Sequence, residues 1–139
     1  MKQLVFGIVA VCLLISCQAK VTEKDLDNIN GYWEIETVQL PDGNQKDYTI
    51  NETIDYFELK DKAGIRRKVM PQLDGKFIVS PQEEKITVVD SNGVFYIHYQ
   101  TDYAKWKEAV IAISDSVLVL KNDQKLEYHY KKHQPIIIP

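Results

Sequence analysis

Short alternating segments separated by turn residues set the strongest limit on what this 139-residue chain folds into. In "WEIET", Trp33, Ile35 and Thr37 share one face while Glu34 and Glu36 share the other, which is the period-two pattern of a half-buried strand. The same beat returns in "YFELK", with Phe57 and Leu59 opposite Glu58 and Lys60, and in "LEYHYKK", with Leu126, Tyr128 and Tyr130 opposite Glu127, His129 and Lys131. Between them lie "IRRKVM", "KFIVS", "KITVVD", "VFYIHYQ", "WKEAVIAIS" and "VLVLK", rich in β-branched and aromatic residues. Gly75 and Gly93 stand where hairpins need positive φ, and "KNDQK" and "SDS" supply Asx-type turns. Strand starts near 31, 53, 65, 76, 85, 94, 106, 117 and 125 recur, after the first, every 8 to 12 residues. That spacing predicts an antiparallel sandwich or barrel. The wide first gap holds either a short strand at Tyr48 to Ile50 or a long loop.

A meander this long has two edges to protect, and closure removes both. The expected fold is therefore all-β, an antiparallel up-and-down barrel of about 8–10 strands, with room inside for packed side chains or one small ligand. Its inward set is Trp33, Ile35, Phe57, Leu59, Ile86, Val88, Phe95, Ile97, Val110, Leu118, Leu120, Tyr128 and Tyr130. "KEAVIAI" and "VLVLK" are apolar on both faces, so a sandwich or covered sheet also fits.

The N-terminus reads differently. Leu4 to Ile15 is twelve residues without a charge behind Lys2. As a helix it covers about 18 Å against a hydrocarbon core of about 30 Å, so it is an export signal rather than a span. "LISC", Leu14 to Cys17, resembles the bacterial lipobox, in which cleavage precedes a cysteine that carries diacylglycerol. The resemblance implies lipidation of Cys17 with palmitate-type chains and a membrane partner held by two or three acyl chains, enough for stable anchoring. "QAK" after Cys17 lacks an inner-membrane retention Asp, so by likeness to bacterial sorting signals the expected site is the outer membrane of a Gram-negative cell, periplasmic face or surface. The expected organisation is signal peptide 1–16, lipidated tether 17–30, barrel 31–133 and tail 134–139. Within the tether, "TEKDL" offers a helical turn capped by Thr22, weighed against a flexible spacer.

Cysteine and charge exclude more. Cys12 leaves with the signal and Cys17 is consumed by lipid, so packing alone must hold the mature fold. Losing Lys2 leaves 16 Lys and Arg against 20 Asp and Glu, a net charge of about −4 that argues against nucleic acid as a partner.

Catalytic and metal constellations are not found in the sequence, and neither an enzymatic activity, a metal nor a cofactor is expected. His129 and His133 in "HYKKH" have helical metal spacing, but on a strand residues four apart project about 13 Å from each other. They read as solvated surface histidines. Glu83 with Glu84 and Asp25 with Asp27 read as loop and tether charges. In "IRRKVM", alternation puts Arg67 on the face of Ile65 and Val69. Were that face inward, Arg67 would anchor an acidic ligand, since a buried guanidinium needs an anion; at an edge or bulge both arginines stay wet.

"GYW", Gly31 to Trp33, on the first strand and "TDY", Thr101 to Tyr103, late in the chain resemble the two sequence marks of lipocalins. The resemblance implies that Trp33 packs across the closed end of the barrel with Thr101, Asp102 and Tyr103 beside it. The arginine that stacks on that Trp in lipocalins has no counterpart, Lys131 and Lys132 being the cations near the end, and the post-barrel helix has none either. "WKEAVIAISDSVLVLKNDQKLEYHYKK" is further similar to the C-terminal part of small lipocalin-like bacterial lipoproteins. The implied function is non-catalytic binding of a small, mostly apolar ligand, with Phe57, Phe95, Tyr128 and Arg67 as contacts and rim loops at Pro41 to Asp47 and Ser80 to Glu84. The alternative is an envelope interaction or inhibitor module with a filled core, and a continuous interior void of roughly 300 Å³ or more, lined by the inward set, separates the two.

Overall fold

The computed structural model describes residues 20–135. The expected signal peptide, Cys17 with its lipobox, and tail residues 136–139 lie outside the described residues.

Among the described residues nine strands follow one another: β1 Gly31–Gln39, β2 Gln45–Asp47, β3 Ile54–Lys60, β4 Ala63–Pro71, β5 Phe77–Ser91, β6 Val94–Gln100, β7 Lys105–Ile113, β8 Val117–Asn122 and β9 Glu127–Lys132. All pair antiparallel with their neighbours, and β1 also pairs with β9, closing the sheet into a barrel. Gly31–Trp33 of β1 pair with β3, whereas Thr37–Gln39 pair with β2 on the same side, so β2 and β3 share one place and the ring has eight strands. Closure decides for the barrel over the sandwich.

Direction alternates around the ring and fixes two ends. The start of β1 and the turns after β3, β5 and β7 lie at one end, the floor; the turns after β1, β4, β6 and β8 lie at the other, the mouth.

Three expectations are corrected. "KFIVS" and "KITVVD" are not separate strands but one 15-residue β5. Arg67 pairs with Glu83 and Val69 with Val79, so two extra residues sit on β5 in the Ser80–Gln82 stretch, and Pro81, without an N–H, tolerates that bulge. Ser80 to Glu84 is therefore bent strand rather than rim loop. The extra strand in the first gap is Gln45–Asp47, not Tyr48 to Ile50, although Tyr48 N still donates to Glu36 O at 2.9 Å.

Part of the stretch expected as tether is structured. Lys24–Ile29 form a 3₁₀ turn whose Leu26 and Ile29 enter the core. Thr22 and Asp25 cap it reciprocally: Thr22 N donates to Asp25 Oδ2 at 2.9 Å and Asp25 N to Thr22 Oγ1 at 3.4 Å. Asn30 then stitches this turn to β3, with Leu59 N donating to Asn30 Oδ1 at 2.7 Å and Asn30 Nδ2 to Leu59 O at 3.2 Å.

The inward set packs as the alternation predicts. Trp33, Phe57, Leu59, Ile86, Val88, Phe95, Ile97, Val110, Leu118, Leu120 and Tyr130 are buried in one cluster, with Ile35 and Tyr128 packed against it. Each fully buried large apolar side chain stabilises by about 1.5–3 kcal/mol relative to exposure. A second, smaller apolar region lies on the outer face, where Ile54 and Val69 are a buried cross-strand pair. Beside it Tyr32 stacks on Phe77 at 4.2 Å, and Phe77 meets the His133 ring edge-on at 5.9 Å.

Candidate functional site

The floor is solid. Trp33 is fully buried and its indole N–H donates to Ile29 O at 2.7 Å, so the 3₁₀ turn and the indole close the end together. Lys132, from the last strand, holds its Nζ 4.4 Å from the Trp33 ring centroid. The cation that sequence reasoning found wanting over the indole is therefore supplied by a lysine. Gly31 makes the room: its φ is +123°, and a Cβ there would stand 3.0 Å from Lys132 Nζ. Burial lowers the Lys132 pKa, with Asp115 opposing.

The mouth is open. Above the packed layer lies a cup of about 350 Å³ walled by Ile35, Trp106, Tyr128 and Tyr130, with Arg66, Lys68 and Glu108 at its charged side. The cup reaches the expected volume but is an open hollow rather than an interior void, and of the inward set only Ile35, Tyr128 and Tyr130 line it, the rest of the lining being largely polar.

The charges come from neighbouring strands. Arg66 on β4 is almost fully buried, ion-paired through Nε with Glu84 of β5, with its Nη1 3.8 Å from Glu108 Oε1 of β7. Its guanidinium also covers the Tyr99 ring at 4.3 Å. Burial opposes its charge, yet Tyr99, Glu84 and Asp55 outweigh burial and hold the Arg66 pKa above the ordinary value. Asp55 of β3 is buried and lies 2.6 Å from Lys68 Nζ, an ion pair whose angles fall short of a hydrogen bond. Burial pushes the Glu108 carboxyl up, against the opposing pull of Tyr99 and Arg66. The Tyr99 hydroxyl is near enough to favour the ionised form without reaching hydrogen-bond geometry, and both it and Glu108 Oε1 are left without a hydrogen-bond partner. Burial likewise raises Tyr99, Tyr130 and Tyr128.

The structure sorts the sequence candidates. Tyr128 lines the cup. Phe57 and Phe95 are buried in the packed core, Phe57 with Arg66 above it at 6.0 Å. Arg67 is corrected: it lies on the outer face, half-exposed and paired with Glu83, while its neighbour Arg66 points inward. Ile65 and Val69 misled the phase because Val69 is buried on the outer face, not the inner one. Thr101, Asp102 and Tyr103 are also corrected. β6 runs from floor to mouth, so its following loop is at the opposite end from Trp33. There Thr101 Oγ1 accepts from Tyr103 N and Ala104 N at 3.2 and 3.1 Å, and the Tyr103 side chain is fully exposed. His133 is not a solvated surface residue: its side chain is largely covered and its Nδ1 lies 3.3 Å from Glu34 Oε2. His129 meets Glu127 at 2.9 Å. Sequence reasoning missed Asp55 and Glu108 and read Glu84 as a loop charge, although each shares an inward parity with residues it did place.

The chain belongs to the lipocalin-like domain family, whose model matches residues 29–120. Among solved structures it is similar to a lipocalin-like protein from Bacteroides uniformis, at 13% identity and TM-score 0.49, over 76% of this chain and 99% of that one. It is likewise similar to an uncharacterized protein from Bacteroides eggerthii, at 12% identity and TM-score 0.49, over 75% of this chain and 98% of that one. No curated protein matches the sequence significantly.

Proposed function

We propose that this protein is a lipid-anchored, non-catalytic envelope lipoprotein that holds one small molecule in the mouth of its barrel. The observation that carries the reading is the cup of about 350 Å³ above a solid floor, within the usual range of small-ligand sites. Ile35, Trp106, Tyr128 and Tyr130 suit an apolar or aromatic body, and the Arg66–Glu108 side suits one polar end.

Anchoring at Cys17 gives the cup a direction. Lys20 follows Cys17 by three residues, a reach of about 10 Å. Its amino group stands at the floor, where a Cβ on Gly93 would meet it at 3.1 Å. A diacylated Cys17 therefore keeps the floor near the bilayer and turns the mouth toward the aqueous side, so the ligand is exchanged with solution.

A second reading, docking to another envelope protein, draws on the β4–β5 hairpin, where Met70, Leu73 and Ile78 are exposed.

Two measurements test the first reading. Cys17→Ala should release the protein from the membrane pellet, and unchanged partitioning would refute the anchor. Native mass spectrometry of the protein purified from its own cells should show a small-molecule adduct that Gln124→Trp, at the rim of the cup, removes. An adduct indifferent to that substitution would place binding elsewhere.

A further inference from the structure

Charge balance inside the barrel narrows the ligand. Three carboxylates, Asp55, Glu84 and Glu108, face Arg66 and Lys68 within the mouth half of the barrel. At the lip stand Asp123 and Lys107, whose Nζ lies over the Tyr96 ring at 5.0 Å. Both inner cations are engaged: Lys68 with Asp55, and Arg66 chiefly with Glu84 and the Tyr99 ring, reaching Glu108 only at ion-pair distance. Among the buried side-chain atoms without a hydrogen-bond partner are Asp55 Oδ1, the Tyr99 hydroxyl and, lining the cup, the acceptor Glu108 Oε1, which has the Tyr99 hydroxyl beside it short of hydrogen-bond geometry. Glu108 is 6% exposed, lines the cup, and its Oε1 has no hydrogen-bond donor, its nearest cation being Arg66 Nη1 at 3.8 Å. A buried carboxylate in that state is costly, and a ligand that brings a donor removes the cost. Around it Trp106, Tyr128 and Tyr130 supply aromatic faces, surfaces that attract organic cations.

We propose that the cup takes a small organic ammonium, an amine on an apolar or aromatic body, with the ammonium held by Glu108 and the body against Trp106 and Tyr128. This rests on the mouth cup being the ligand site. The amine donates N–H to Glu108 Oε1, and the net deficit of one positive charge among the inner groups is made good by the ligand.

The test is a pair of probes of like shape and opposite charge, 2-phenylethylamine and 3-phenylpropionate, each titrated into the full-length protein at neutral pH. The Trp106 indole N–H resonance and calorimetry are the readouts. The amine should bind, about millimolar for so small a probe, and shift the Trp106 signal while the carboxylate does not. Glu108→Gln, with its fold checked by circular dichroism, should weaken the amine roughly tenfold or more, the factor that losing a charged hydrogen bond carries. Because the probe comparison uses the unaltered protein, a variant that fails to fold does not remove the test. Binding of the carboxylate alone, or of both probes equally, overturns the ammonium assignment and leaves the cup standing. Binding of neither overturns both.

Discussion

Lys132 Nζ stands over the Trp33 ring at 4.4 Å and donates to Asn30 O at 2.7 Å, so one side chain of the last strand ties down both the indole and the start of the first strand. The cation–π contact is worth about 0.5–1 kcal/mol at a partly exposed site and the hydrogen bond about 1 kcal/mol. Lys132→Ala should cost about 1–2 kcal/mol in urea unfolding, and Lys132→Arg should recover most of it. An unchanged midpoint in Lys132→Ala would mean the contact is incidental.

Gly31 is the other half of that arrangement. An alanine there must adopt φ +123° and its methyl must push Lys132 aside. Left-region strain of this kind costs of order 1–3 kcal/mol. Gly31→Ala should therefore destabilise by more than Lys132→Ala alone, and the double substitution by less than the sum, since the clash vanishes with the lysine. Strict additivity in that cycle would separate the two residues.

Arg66 is predicted to be the least replaceable charge. Arg66→Met leaves Glu84 and Glu108 facing each other without their shared cation, and breaking a buried pair from one side costs about 3–5 kcal/mol. The loss should shrink on acidification, as the stranded carboxylates take up protons more readily than in the unfolded chain. A deficit that stays constant from neutral pH to about pH 4 would contradict this.

Glu108 should behave in the opposite way. Its folded pKa is raised, chiefly by burial. The folded state therefore holds the proton more tightly than the unfolded chain, and the resulting stability is present below about 4.3 and lost as pH climbs through the folded value. Glu108→Gln, permanently neutral, should be more stable than wild type at neutral pH and equal to it near the acid end. Equal stability at every pH would show that Arg66 fully neutralises Glu108.

The barrel was legible because alternation survives wherever one face is buried, as at Trp33, Phe57, Ile97 and Leu120. It failed where a face is buried for another reason. Val69 looked like an inward marker beside Ile65, but it packs on the outer surface opposite Ile54, and that exchanged Arg66 for Arg67. The interior carboxylates stayed invisible because hydropathy assigns Asp55, Glu84 and Glu108 to solvent, and only tertiary pairing with Arg66 and Lys68 lets them face in. Thr101–Tyr103 matched a motif by order alone. Strand direction, which a string of residues does not carry, put it at the mouth.

The barrel is stoppered at one end and open at the other, and its two tryptophans report on the two ends separately. Acrylamide quenching of Trp106→Phe, whose emission comes from Trp33, compared with wild type isolates each signal. Trp33 should be nearly inaccessible while Trp106 is readily quenched. A Trp33 quenched as readily as Trp106, or a Trp106 as protected as Trp33, would contradict it.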